Sequence, residues 1–432
     1  MHKKTYEQIN ETLYSEVLAN GLQVFLLPKK DFHKTYGLFS TNYGSIDNAF
    51  VPYDGTNLIK VPDGIAHFLE HKLFEKETGD VFQDFGKQGA SANAFTSFTK
   101  TSYLFSATNR IQENLETLLD FVQEPYFTQA TVEKEKGIIG QEIQMYEDDP
   151  HWRQFFGILG NLYPKHPLHI DIAGTIESIE AITAEDLYRC YHTFYHPSNM
   201  TLFVVGNIEP ETIMAWVKAN QQTKTFTPIK EITRHFPKET LADIIPTSEI
   251  SMPVTRVKAV LGVKGIQANL PIDGRQRLIY KTALSLLFQL LLGNTSANYL
   301  RLYNAGIVDD TFGYEVNVDR TFHFADFSGD TEQPEAFVKE ITQILLGFMQ
   351  DPEINQANLT LLKKKMLGKY FQSLNSLEYI ANQFTQSLFG EATLFDVPEI
   401  IQAITLEDVY QTGASFIQKE AFSEFFIKPL AE

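Results

Sequence analysis

Ala181-Ile-Thr-Ala-Glu-Asp-Leu-Tyr188 recurs in the same chain as Ala403-Ile-Thr-Leu-Glu-Asp-Val-Tyr410. Six of the eight positions are identical, and the offset, 403 minus 181, is 222 residues in a chain of 432. Each copy leads into an aromatic-rich helix end and then a strand, Met200–Val205 in the first and Glu424–Ile427 in the second. An octapeptide match alone is weak. The same order of elements after it, at an offset near half the chain, is the signature of a duplication. The expected fold is therefore α+β: two similar domains, each an antiparallel-rich sheet with helices packed on one side. They are bounded as residues 1–222 and 251–432. Between them, Thr223–Ser251 is polar, contains Pro228, Pro237 and Pro246, and has no amphipathic period. Residues 223–250 thus read as a linker.

Working outward through the first copy, Gly21–Pro28 reads as a strand. Tyr36–Tyr43 alternates apolar and polar residues as a half-buried strand does. Ala94–Ala107, rich in threonine and aromatics, reads as one or two more strands. Helices are expected over Ile65–Phe74, over Val81–Lys87, and from Gln112 to a stop at Pro125. Two further helices are expected over Thr131–Glu147, with Thr131 as the cap, and over Trp152–Leu162. Thr183 caps the helix that follows it, and Met200–Gly206 reads as a buried strand.

Composition narrows the chemistry. The chain is 43% hydrophobic and 21% charged, which is ordinary globular composition. Its 36 Lys and Arg against 54 Asp and Glu leave a net charge of -18, which argues against nucleic acid or an anionic membrane as the main partner. Cys190 is the single cysteine, so an intrachain disulfide and a cysteine-based zinc site are both excluded. No apolar run approaches a membrane span, and Met1–Val17 lacks an apolar signal core, so the expected location is cytoplasmic.

A metal would have to be held by His, Asp or Glu, and Ala66-His67-Phe68-Leu69-Glu70-His71-Lys72-Leu73-Phe74 offers the donors. His67 and His71 are i and i+4, so on a helix their imidazoles project from one face. That spacing suits two ligands of one zinc ion. Glu70 lies on the same face, where a carboxylate can take a proton from the water that such an ion would hold. A third ligand is expected from Glu133–Glu147. Glu135 and Glu142 are two turns apart and share a face beside Ile138 and Ile139, and a carboxylate turned inward needs a partner. Zinc would satisfy Glu142, Glu135 would support the site from behind, and Glu147 is the runner-up ligand. His192 and His196 are also i and i+4, but no glutamate lies between them and Pro197 ends their helix. His166 and His169 sit between Pro164 and Pro167 or just beyond. Neither pair reads as a metal site.

These features together resemble the pitrilysin/insulinase family of zinc peptidases, the inverzincins, and most closely its bacterial processing-peptidase-like members. The likeness runs through His67–His71, the tract Gly89-Ala-Ser-Ala-Asn-Ala-Phe-Thr96, the helix with Glu135 and Glu142, and the duplicated plan. The resemblance implies that His67, His71 and Glu142 bind Zn2+, with Glu142 lying 71 residues beyond His71. It implies that Glu70 is the catalytic base and Glu135 a supporting catalytic acid. It further implies that Ala92, Asn93 and Ala94 form an edge strand that binds a peptide substrate by strand addition.

One departure has consequences for assembly. Active family members, or their partner subunits, carry an Arg and a Tyr seven residues apart in the second domain, which position the substrate carbonyl and the oxyanion. Here, aligned on Gly306, Tyr303 and Asp310 (or Asp309) fall at those positions, and Arg301 is two residues out of register. Tyr370 falls at the position equivalent to Glu142. The resemblance thus implies a zinc-dependent endopeptidase that works with a homologous partner subunit, as a heterodimer or a homodimer. The alternative is a non-catalytic scaffold or peptide-binding subunit that retains the zinc site.

Overall fold

The computed structural model describes residues 1–227, 231–386 and 392–430. The chain forms two compact units. The first gathers Met1–Gln144, Ile170–Phe236 and Ser373–Gln386, and the second gathers Met145–His169, Pro237–Gln372 and Ser387–Glu432. This differs from a simple cut after residue 222. The helix Pro150–Leu162 belongs to the second unit and the helix Leu377–Gln386 to the first. The expected linker is also divided, because residues up to Phe236 go with the first unit. Arg234 is held there by Asp47, Nε to Oδ1 at 3.0 Å, and bridges to Phe50. The far end of the stretch enters the strand Thr247–Met252. Residues 228–230 of the expected linker lie outside the described residues.

The first unit is built on a seven-stranded sheet. Its order is His2–Tyr6, Glu11–Val17, Gln23–Pro28, Met200–Gly206, Thr35–Thr41, Thr101–Ala107 and Ser91–Thr96. Gln23–Pro28 and Met200–Gly206 run parallel and the other neighbours antiparallel. Tyr103 and Leu202 both pair with Phe39, so the three share a face, where Tyr103 packs on Phe121 of the helix Ile111–Gln123. Leu104, Leu38, Phe203 and Phe25 point the other way. Leu377–Gln386 closes that second face, with Phe384 at 5.0 Å from Phe25 and 4.6 Å from Phe203, ring centroid to centroid. Cover on both sides explains why Thr35–Thr41 is buried along its whole length rather than half-buried as its alternation suggested.

The second unit repeats the scheme with five strands, in the order Thr247–Met252, Phe422–Pro429, Val257–Lys264, His323–Thr331 and Gly313–Val318. Ala259, Leu261, Val263, Ala325 and Phe327 face a core made with the helices Gly274–Leu292 and Pro334–Leu346. Val260 and Phe425 pair on the opposite face, beneath Pro150–Leu162. A Cβ at Gly157 would stand 2.3 Å from the Phe425 ring, so only glycine lets the helix lie that close. Gln154 of the same helix donates to the Ala259 carbonyl at 2.9 Å. The repeated octapeptide has a physical counterpart, since Thr183 with Asp186 and Thr405 with Asp408 each close a reciprocal cap on a helix. Thr131 does not start its helix. The helix begins at Gln129, and the Thr128 hydroxyl accepts the Thr131 N–H.

Phe384→Ala should lower the stability of the first unit by about 3–5 kcal/mol, because it empties the side of the sheet that a single helix covers. An unchanged urea midpoint would contradict this packing. A second expectation concerns Asp326, which is 6% exposed and faces Glu315 across the strand pair, with no hydrogen-bond partner for its Oδ1 among the described residues. Burial, and then the charge of Glu315, push its carboxyl up to about 7. An acid raised in this way favours the folded state while it keeps its proton. That stability is complete below the ordinary carboxylate range and is lost as pH rises through about 7. Asp326→Asn should remove the loss and be more stable than the parent above neutral pH, by up to roughly 4 kcal/mol. Parallel urea unfolding at pH 5 and pH 8 measures it, and matching pH dependence in the two proteins would refute it.

Candidate metal centre

The helix Ile65–Leu73 starts from Gly64, whose φ of +85° is costly for any other residue, and a Cβ there would lie 2.3 Å from the Ala173 carbonyl oxygen. The preceding residue is pinned as well. Asn48 Nδ2 donates to Asp63 Oδ1 at 2.7 Å, and Ser178 Oγ donates to the Asp63 carbonyl at 2.8 Å. Ile65, Phe68, Leu69 and Leu73 bury the helix so thoroughly that His67, Glu70 and Lys72 are carried inside with them. The His67 and His71 rings lie edge to face, 4.6 Å between centroids.

The helix Gln129–Glu147 brings the carboxylates. Glu142 Oε1 lies 3.6 Å from His67 Nε2, and its Oε2 lies 3.6 Å from His71 Nε2. Glu135 Oε1 lies 3.0 Å from His71 Nδ1. Among the described residues, His67, His71 and Glu142 form the only group of three with donor atoms all within 4.8 Å of one another. The contacts to Glu142 are longer than hydrogen bonds. Ligands held at zinc distances in a tetrahedron stand roughly 3.3 Å apart, so the three donors converge as a shared ion requires. Two imidazole nitrogens and one carboxylate, with His71 fixed from behind by Glu135, fit zinc. Among the described residues His67 Nδ1 has no hydrogen-bond partner, and the ring is held by packing.

The electrostatics follow from burial. It is the main reason that the His67 imidazole falls to about 3, with the charge of His71 adding to it. A neutral His67 is the form that can donate a lone pair to a metal. Burial also pushes the Glu70 carboxyl up to about 7, against the opposing effects of its hydrogen bond from Thr96 and the charge of His71, and with Glu142 reinforcing the rise. Burial works against a charged His71, but the hydrogen bond to Glu135 and the charges of Glu70, Glu135 and Glu142 outweigh it and hold its pKa above the ordinary value.

Ala92, Asn93 and Ala94 occupy Ser91–Thr96, one of the two edge strands of the sheet, paired through Tyr103, Leu104 and Phe105 to Thr101–Ala107. On the open side, Asn93 Oδ1 accepts the Ala94 N–H at 2.9 Å. The structure thus brings together His67, Glu70, His71, Glu135 and Glu142. Glu147 is exposed and lies outside the metal group. So do His192 and His196, and His196 Nδ1 lies 2.8 Å from Ser198 Oγ. In the second unit Tyr303 is exposed, Arg301 is paired with Glu340 at 2.8 Å, and Tyr370 is buried. Sequence reasoning missed Thr96, whose Oγ1 donates to Glu70 Oε2 at 2.6 Å. The signal was the period of two that places Thr96 on one face with Ala92 and Ala94.

Residues 60–176 match the family described as Insulinase (Peptidase family M16), and residues 181–366 match the Peptidase M16 inactive domain. The chain is 52% identical over 405 residues to an uncharacterized zinc protease, YmfH, of Bacillus subtilis, covering 94% of both chains. The chain belongs to peptidase family M16. A solved M16-like peptidase chain from Alicyclobacillus acidocaldarius superposes on this M16 chain with a TM-score of 0.92 at 36% identity, over 97% of this chain and 99% of that one. A protease structure from Helicobacter pylori shares the fold at a TM-score of 0.82 and 22% identity, over 96% and 99% of the two chains. No described helix is long and apolar enough to cross a membrane.

Glu135→Gln should leave the fold intact and weaken zinc affinity by about 10- to 100-fold, because His71 loses the charged group that orients it. Competition with a chromophoric chelator measures this, and an affinity within twofold of the parent would show that Glu135 serves only the helix.

Proposed function

We propose that this M16 chain is a zinc-dependent endopeptidase for peptides or unfolded segments, acting in the cytoplasm as one subunit of a two-chain assembly. One observation carries the reading: the donor atoms of His67, His71 and Glu142 converge beside a buried Glu70. Zinc, when bound, supplies the Lewis acid that polarises the scissile carbonyl and eases deprotonation of the attacking water. Glu70 accepts that proton and returns it to the leaving amine, a role suited to a carboxyl that burial has brought near neutrality. Glu135 keeps the His71 ring in place through Nδ1. The open edge at Ala92–Ala94 takes an extended peptide backbone as an added strand, and the side chain of Asn93 moves off the Ala94 N–H to admit it. An edge of this kind selects extended chains and excludes folded ones.

The partner subunit enters because this chain offers no guanidinium at the position where the family polarises the substrate carbonyl. The nearest, Arg301, is engaged by Glu340. A homologous chain, or a second copy of this one, would complete the site.

Glu70→Gln should keep zinc and lose about 100- to 10,000-fold in peptide cleavage, assayed on the purified chain and on any co-purifying assembly. Zinc missing from the parent protein purified without chelators would overturn the peptidase reading. Full cleavage by the monomeric chain would overturn the need for a partner. Peptide binding without cleavage in the complete assembly would favour a peptide-binding subunit.

A further inference from the structure

Glu70 is buried and needs one of its two oxygens free to move a proton, so what holds the other decides whether it is aimed. Thr96 Oγ1 lies 2.6 Å from Glu70 Oε2. A hydroxyl has a single hydrogen, and the surrounding bonds settle where this one goes. The neighbouring hydroxyl, Thr101 Oγ1, is 3.4 Å away and gives its own hydrogen to the Tyr43 carbonyl at 2.9 Å. Thr101 therefore cannot donate to Thr96, and an ionised Glu70 can only accept. Thr96 thus donates to Oε2, and Oε1 is left to handle the proton. Thr96 is also suited to the task by its side chain, because β-branching limits its χ1 in a strand.

The position of Thr96 adds a second link. It ends the edge strand Ser91–Thr96 and pairs with Thr101 in the next strand. Two residues from Ala94, it shares that residue's phase, so its side chain and the Ala92 and Ala94 side chains lie on the face turned toward Glu70. The same short strand therefore carries both the expected peptide edge and the group that aims the base.

We infer that Thr96 is a positioning residue, fixing Glu70 through Oε2 so that Oε1 is the proton acceptor. This rests on the peptidase reading above, and the test separates the two. Thr96→Val, Thr96→Ser, Glu70→Gln and the Thr96→Val/Glu70→Gln pair are compared in the full-length chain with its assembly partner. Zinc content, kcat and KM on one peptide, and the crystal structure of Thr96→Val are measured. Thr96→Val should keep its zinc and its KM, lose about 10- to 100-fold in kcat, and show Glu70 in more than one rotamer. Thr96→Ser, which restores the hydroxyl, should return most of the rate. In the Glu70→Gln background, Thr96→Val should cost nothing further. Thr96→Val with unchanged kcat, a change confined to KM, a serine no better than valine, or a single unchanged Glu70 rotamer would each overturn the role of Thr96. Normal cleavage by Glu70→Gln would instead overturn the peptidase reading itself.

Discussion

Two imidazoles and three carboxylates lie together in the first unit, His67, Glu70 and Glu135 buried and His71 and Glu142 half-buried, and the cost of keeping ionisable groups from water governs what surrounds them. An isolated buried charge costs several kcal/mol, so each group must be neutral or have an opposite charge close by. His67 takes the first course, since burial removes its proton. His71 takes the second, with Glu135 at one nitrogen and Glu142 near the other. Glu70 stands between the two, held near neutrality and anchored by a hydroxyl. The set is satisfied only if the helices Ile65–Leu73 and Gln129–Glu147 keep their register. This is why the entry to the first helix is so closely constrained at Asp63 and Gly64.

The duplicated plan supplies that rigidity. Each unit is a sheet with a thick helical layer on one face and a single helix on the other. In both cases the single helix comes from the opposite half of the sequence. With both faces covered, the central strand Thr35–Thr41 is buried along its whole length, and backbone groups of the first sheet meet solvent at its two edge strands, His2–Tyr6 and Ser91–Thr96. Chemistry thus adjoins one of these two edges, the one at Ser91–Thr96.

Much of this was legible in the sequence. The His67–His71 spacing fixes a shared helical face, and the choice of Glu142 over Glu147 follows from two-turn periodicity with Glu135. Both rest on local geometry, which sequence encodes directly. The repeated octapeptide announced two similar units, because its capping residues act within a single turn. What sequence did not give was long-range. The amphipathic stripe of Leu377–Gln386 says that one side is buried but not which sheet buries it. Thr35–Thr41 alternated like a half-exposed strand because the helix covering its second face lies more than 330 residues further on. Thr96 was invisible as a partner of Glu70 for the same reason, since a threonine in a threonine-rich strand looks like β-propensity until the opposing helix is in place.

The helix Leu377–Gln386 has a consequence for biosynthesis. A chain leaving the ribosome displays the strands of the first sheet early, but the helix that seals Phe25 and Phe203 is made only after most of the second unit has been translated. Until then the nascent first unit carries an open apolar face, the kind of surface that chaperones bind and that aggregation exploits. The duplication therefore did not yield two independently folding halves. Completion of the first unit waits on synthesis of the second, and a gene split between the repeats would deliver two fragments, each lacking a wall.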